Sequence, residues 1–276
     1  MTDLAELVPF ELDRLADEAD YAVIGPVDGR TRVLHTDQPP YGAVCHIERD
    51  FGDGRLTGCT AFLISPTRLM TAGHCIMSPI RKRLGLPHLA KRIRVSPGRA
   101  AETVMPFGSQ WAHSWRANPA YVLRPTALDD VAIIDLPRPF SPSPGFFRLA
   151  APDAKDFEQI RARLLLHISG YPADKPQGTQ WEHAERLDRV DPRQLLYSVD
   201  TCPGHSGAPV WIRRTPDAPA EVIAVHTSGP RPHSEGAWGC RPGVPLAPAG
   251  LFNRGVRITP TLKRLVDSGF GTTKWP

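Results

Sequence analysis

The sequence predicts an all-β fold, and three observations carry that expectation. Proline and glycine number 30 and 23 in 276 residues, together about a fifth of the chain, which is above background and leaves little room for long helices. Short apolar runs closed by turn residues recur at 42–47, 60–64, 131–136, 164–168, 195–199, 209–212 and 221–225, the texture of an antiparallel sandwich or barrel. Helical periodicity is confined to the two ends. After Pro9, Leu12, Leu15, Ala16 and Ala19 fall at helical spacing, and near the C-terminus Leu262, Leu265 and Val266 do so. There Thr259 can cap a helix, Pro260 open it and Gly269 stop it, with those three apolar residues facing inward.

Composition narrows the function classes. Hydrophobic residues at 41% and charged residues at 22% describe a globular chain. No apolar stretch approaches the roughly 20 residues that span a bilayer, so no membrane partner is expected. A net charge of +4 is too mild to indicate nucleic acid. The charge is unevenly spread. The first twenty residues hold seven acids against Arg14, with no continuous apolar segment, and do not read as a secretory signal. Residues 54–101 hold nine bases and no acid; this reads first as a solvated loop face and second as a surface that steers anionic substrates. Five cysteines leave at least one thiol unpaired in a monomer.

Three segments carry chemistry. Thr71-Ala72-Gly73-His74-Cys75 follows an apolar run, Asp130 directly precedes another, and Cys202-Pro203-Gly204-His205-Ser206-Gly207 leads into a third. In that order they supply a base, an acid and a hydroxyl. A serine hydroxyl is a feeble nucleophile at neutral pH and needs an imidazole to take its proton. The imidazole needs a carboxylate on its other nitrogen to fix the tautomer and stabilise the imidazolium. Glycine on both sides of the serine permits the turn that aims backbone N–H groups at a developing oxyanion.

These segments resemble the histidine, aspartate and serine motifs of the chymotrypsin-fold (trypsin-like) serine proteases, and more narrowly those of the bacterial glutamyl endopeptidases. Val23-Ile24-Gly25-Pro26 is similar to a mature N-terminus in the glutamyl group, and Val95-Ser96-Pro97-Gly98-Arg99 and Pro106-Phe107-Gly108-Ser109 are similar to its first-barrel segments. The resemblance runs from Val23 to the C-terminal helix. It implies two packed antiparallel Greek-key β-barrels, 23–145 and 146–276, the second carrying the terminal helix, with residues 1–22 either a leader or pro-segment removed after Ala22 or an N-terminal helix that packs on the barrels. It also implies a serine endopeptidase working through an acyl-enzyme, with His74 as general base, Asp130 rather than Asp129 as its orienting acid and Ser206 as nucleophile. The N–H groups of Gly204 and Ser206 would form the oxyanion hole. Bridges Cys59–Cys75 and Cys202–Cys240 are expected on the same grounds, leaving Cys45 as a buried free thiol. Two bridges imply an oxidising compartment, so a secreted or periplasmic protein is favoured, although the missing signal keeps the cytoplasm open.

Two readings of the pocket compete. Asp200, six residues before Ser206, stands where trypsin-like enzymes keep the carboxylate that pairs with Arg or Lys. Thr201 and His226 point instead to an acidic substrate side chain, since His226 in Ala224-Val225-His226-Thr227-Ser228-Gly229 resembles the glutamyl group's pocket histidine. Cleavage after Glu, or Asp, is the favoured expectation, with substrate aligned as an added strand along Thr227, Ser228 and Gly229. His205 departs from the trypsin pattern, which has Asp there to pair with a freed N-terminus. An α/β-hydrolase elbow at Ser206 is disfavoured, because Pro209 and the strand-like Val210-Trp211-Ile212 follow where that fold needs a helix. A silent protease homologue acting as a binding module is the remaining alternative. The histidines and cysteines lack metal-ligand spacing, so neither metal nor cofactor is expected. The expected partners are protein or peptide substrates, met by a monomer.

Overall fold

The computed structural model describes residues 22–230, 233–234 and 236–271. Its strands form two curled antiparallel sheets, one to each barrel. The first uses β2 (Val44–Asp50), β3 (Thr57–Ser65), β4 (Arg68–Thr71), β5 (Arg92–Pro97), β6 (Gln110–Trp111), β7 (Ser114–Ala117) and β8 (Ala132–Asp135). Their order is β6-β5-β2-β3-β4-β8-β7. β5 returns beside β2 after the β2-β3-β4 meander, which is the Greek-key arrangement. The second sheet holds β1 (Thr31–Arg32), β9 (Arg148–Leu149), β10 (Leu166–Gly170), β11 (Trp181–Glu185), β12 (Leu187–Val190), β13 (Gln194–Tyr197), β14 (Pro209–Ile212), β15 (Glu221–Ser228) and β16 (Asn253–Arg257). Its path is β1-β11-β10-β14-β15-β16-β13-β12, with β9 parallel to β15. Each apolar run noted in the sequence coincides with or overlaps a strand.

The basic stretch proves to be a strand pattern. Along β5, Ile93 and Val95 turn inward while Arg92 and Arg94 turn outward, the two-residue alternation of a half-buried strand. Those arginines meet acids of neighbouring β2: Arg92 lies 2.9 Å from Asp50 and Arg94 2.7 Å from Glu48. Arg81 pairs with Asp53 at 3.0 Å. Much of the charge that looked unopposed in sequence is therefore neutralised across the sheet, and steering of anionic substrates by this stretch loses its support.

Three helices appear where none was expected: α1 (Pro79–Arg83), α2 (Pro119–Leu123) and α3 (Ala154–Arg163). For α3 the signals are Asp153, whose carboxylate accepts the Asp156 N–H at 2.8 Å as an N-cap, and the buried pair Phe157 and Ile160. The expected C-terminal helix, α4 (Pro260–Asp267), is capped by Thr259, whose hydroxyl accepts the Leu262 N–H at 3.1 Å. Leu262 and Val266 are buried, but Leu265 is 39% exposed and does not face inward. α4 follows the last strand of the second barrel, and its buried residues join an apolar cluster to which the first barrel contributes most; Arg68 of β4 donates to the Val266 carbonyl. This helix clasps the barrels together.

The first barrel also begins later than 23. Residues 22–32 run over the second barrel, where β1 pairs with β11. The Val23 N–H donates to the Trp238 carbonyl at 2.9 Å and the Val23 carbonyl accepts from Ala247 at 3.0 Å. Ala22 is fully buried, and the Asn253 carboxamide holds both its N–H (3.2 Å) and its carbonyl (2.9 Å). A cut after Ala22 would remove a residue that the fold grips on both sides. The acidic stretch and helix expected within residues 1–21 lie outside the described residues.

Candidate active site

β4 is held between β3 and β8, and beyond it the chain makes one tight turn, Gly73–Cys75, that presents His74. The Cys59–Cys75 disulfide ties that turn back to β3. Gly73 cannot carry a side chain, because a Cβ would stand 2.9 Å from Asp130 Oδ1 and 2.9 Å from the Tyr121 ring. That close approach brings the Asp130 carboxylate against the turn. Oδ1 accepts the His74 backbone N–H at 2.8 Å, and Oδ2 lies 2.7 Å from Nδ1 of the ring. The other ring nitrogen, Nε2, is 2.6 Å from Ser206 Oγ. Asp130 is 6% and Ser206 3% exposed. An anion, an imidazole and an alcohol thus form one chain of contacts across the two barrels. Asp129 faces elsewhere, accepting from Thr126 and pairing with Arg193.

Ser206 sits in a loop whose backbone conformation belongs to glycine. Gly204 has φ +100° and Gly207 φ +83°, and a Cβ on either would strike backbone, the Tyr171 carbonyl in one case and the Thr60 carbonyl in the other. Cys202 before the loop is bonded to Cys240, as the resemblance implied, and Cys45 is the buried free cysteine. His205 is buried; its Nδ1 accepts the Cys202 N–H at 3.1 Å, and burial pushes its pKa well below the usual histidine value. It braces the loop as a neutral ring. Thr60 of β3, a residue the sequence did not single out, reaches the loop from the first barrel. Its N–H donates to the Ser206 carbonyl at 2.9 Å and its hydroxyl to the Gly204 carbonyl at 2.7 Å. Its position next to Cys59 was the only signal available.

The pocket residues divide. Asp200 does not serve the pocket. Its carboxylate accepts the N–H groups of Ile24 and Gly29 and lies 3.4 Å from His183 Nδ1, fully buried under the N-terminal segment. The reading in which it pairs with a substrate Arg or Lys is corrected on that ground, since a carboxylate so engaged is not offered to a ligand. His226 remains beside the nucleophile loop: its carbonyl accepts the Gly207 N–H at 2.8 Å, and its N–H donates to Ala208 at 2.9 Å. Burial lowers its pKa to about 3, and the charge of nearby His74 adds to the shift. Among the described residues the buried hydroxyls of Thr201 and Ser228 have no hydrogen-bond partner, the condition of polar groups that a ligand or water would satisfy. Between His226 and Ser228 the pairing with β16 slips by a bulge at Thr227, and Gly229 follows directly, buried.

A family model described as the trypsin-like peptidase domain matches residues 59–215. The chain belongs to the trypsin-like peptidase family. Within that family it is 32% identical over 251 residues to a glutamyl endopeptidase of Bacillus licheniformis, an alignment that covers 86% of this chain and 66% of the relative. It is 27% identical over 209 residues to a protein of Bacillus subtilis named extracellular metalloprotease, covering 75% of this chain and 63% of that one. The chain thus spans just under two thirds of the length of these two relatives. A solved Glu endopeptidase in complex with MPD superposes with a TM-score of 0.68 at 23% identity, covering 89% of this trypsin-like peptidase and 97% of that chain. That likeness shows the two-barrel fold.

One grouping in this trypsin-like peptidase has the look of a metal site, Cys59, His74 and Cys75, with ligand atoms within 4.8 Å of one another. Its two sulfurs are bonded to each other. A disulfide offers no thiolate, so the donor set does not fit a metal.

Proposed function

We propose that this chain is a serine endopeptidase that cleaves protein or peptide substrates after Glu, or Asp, through an acyl-enzyme. The observation that carries the reading is the unbroken contact chain Asp130–His74–Ser206, at 2.7 and 2.6 Å. His74 Nε2 takes the Ser206 proton as Oγ attacks the scissile carbonyl, and Asp130 holds the ring and stabilises the imidazolium. The N–H groups of Gly204 and Ser206 receive the oxyanion, in a loop whose glycines meet its conformational demands. His74 then protonates the leaving amine, and water drawn through the same imidazole releases the acyl group. Substrate lies as an added strand along Thr227, Ser228 and Gly229.

Three features support the acidic preference. His226 and the buried hydroxyls of Thr201 and Ser228 are hydrogen-bonding groups suited to a carboxylate, Asp200 is engaged elsewhere, and the named relatives include a glutamyl endopeptidase. The paired disulfides fit an extracellular or periplasmic site of action, and we assign the protein there as a monomer. A panel of fluorogenic peptides differing only before the scissile bond tests the reading. Glu should be turned over fastest, Asp next, Gln and Arg slowly. Fast cleavage after Arg would refute the assignment of the pocket, and binding of peptides without any turnover would refute the assignment of the enzyme.

A further inference from the structure

A neutral imidazole carries a single N–H, and only the nitrogen that carries it can donate to a substrate carboxylate. His226 is fully buried and, with its pKa near 3, neutral at neutral pH before substrate arrives. The Arg254 backbone carbonyl faces the ring and draws its N–H, and what decides which of the two nitrogens carries that hydrogen is the partner of Nδ1. That partner is the hydroxyl of Tyr197, 2.8 Å from His226 Nδ1.

The contact is built across three strands. Tyr197 ends β13 and His226 lies in β15, and the two strands do not pair; each is bonded to a different side of β16. In β16 the residue opposite both Leu195 and His226 is Gly255. A Cβ there would sit 3.0 Å from the Tyr197 hydroxyl, 3.0 Å from the Val225 carbonyl and 3.2 Å from the Ala224 side chain. Gly255 is thus required for space, and the space it leaves is what lets the tyrosine oxygen cross the middle strand. Tyr197 is itself fully buried, and a buried phenol needs a partner. Phenol is a better donor than acceptor and a neutral imidazole nitrogen a strong acceptor, so the bond runs from the hydroxyl to Nδ1.

We propose that Tyr197 is a specificity-positioning residue: by donating to Nδ1 of His226 across Gly255, it holds that ring as the Nε2–H tautomer and makes Nε2–H the donor to an acidic substrate side chain. The inference rests on the acidic preference proposed above and adds to it the residue that sets the polarity of the pocket histidine.

Tyr197→Phe removes one oxygen and keeps the ring that fills the site. Histidine proton–nitrogen correlation spectra of the isotope-labelled protein at neutral pH should show His226 as Nε2–H in the unaltered chain and as a tautomer mixture in the variant. An Nδ1–H ring in the unaltered chain, or the same tautomer in both proteins, overturns the proposal. In kinetics, kcat/KM for a Glu peptide should fall about tenfold in the variant relative to its isosteric Gln peptide, the scale of one weakened hydrogen bond to a charged group. Equal losses on both peptides would make Tyr197 merely structural and overturn the proposal. If the unaltered chain itself does not prefer Glu over Gln, the acidic-pocket reading fails instead, and the tautomer measurement still decides what Tyr197 does to His226.

Discussion

Replacing Thr60 with valine exchanges one buried hydroxyl for a methyl group of nearly the same size. That oxygen donates to the Gly204 carbonyl at 2.7 Å and accepts the Tyr171 N–H at 3.0 Å, so it joins β3 of the first barrel to two segments of the second. In Thr60→Val the buried Tyr171 N–H and the part-buried Gly204 carbonyl both lose this bond. Stranding a buried polar group costs about 1–3 kcal/mol, so the Tyr171 N–H alone should cost about that much stability, with a smaller addition from the part-buried carbonyl. Thr60→Ser keeps the oxygen and removes one methyl, a loss of about 1 kcal/mol. Urea unfolding followed by fluorescence separates the two variants. Gly204 is also the residue whose N–H, on the preceding peptide, we assign to the oxyanion, so loosening its carbonyl should lower kcat. The fall is bounded by the loss of a whole donor, about 10²–10³-fold, and serine should restore most of the rate. A valine variant as stable and as active as the unaltered chain would refute the claim that this hydroxyl ties the nucleophile loop to the opposite barrel.

Other expectations follow from buried groups. Burial holds His46 at a pKa of about 4, His226 at about 3 and His205 well below its usual value. The unfolded chain therefore binds protons first as pH falls below about 6.5; the His46 and His226 rings should each cost about 2 kcal/mol of stability between pH 7 and 5, and His205 acts in the same direction. Burial raises the pKa of Asp200 and works in the opposite sense, but three rings outweigh one carboxyl; a urea midpoint unchanged or higher at pH 5 than at pH 7 would contradict this. Because Asn253 grips both backbone groups of Ala22, mass spectrometry of the fully active protein should find Ala22 retained whatever precedes it, and full activity from a chain beginning at Val23 would show the grip to be dispensable.

The parts of the site that could be read in advance are those that local chemistry announces. His74, Asp130 and Ser206 each stand at the edge of an apolar run with glycine or a turn beside them, and the two disulfides join cysteines next to those same segments. What escaped the reading depends on contacts between strands. The bases of 54–101 looked unopposed because their acids, Glu48, Asp50 and Asp53, precede the stretch; Glu48 and Asp50 meet it through the β2–β5 pairing, and Asp53 reaches Arg81 of α1 from the loop after β2. Tyr197 and His226 are 29 residues apart and touch only because Gly255 lies between their strands. Asp200 could not be aimed from sequence, since its direction is set by the N–H groups of Ile24 and Gly29 on a segment 171 residues or more away. The site was legible as a set of parts, and its supports became legible with the fold.

The central claim, that His74 propped by Asp130 activates Ser206, is tested most directly by a fluorophosphonate that reacts only with an activated serine. The protein should gain one adduct, mapped by peptide mass spectrometry to Ser206, and His74→Ala should abolish it while leaving the fold intact by circular dichroism. An adduct on another residue, or labelling of Ser206 at an undiminished rate without His74, would contradict the account.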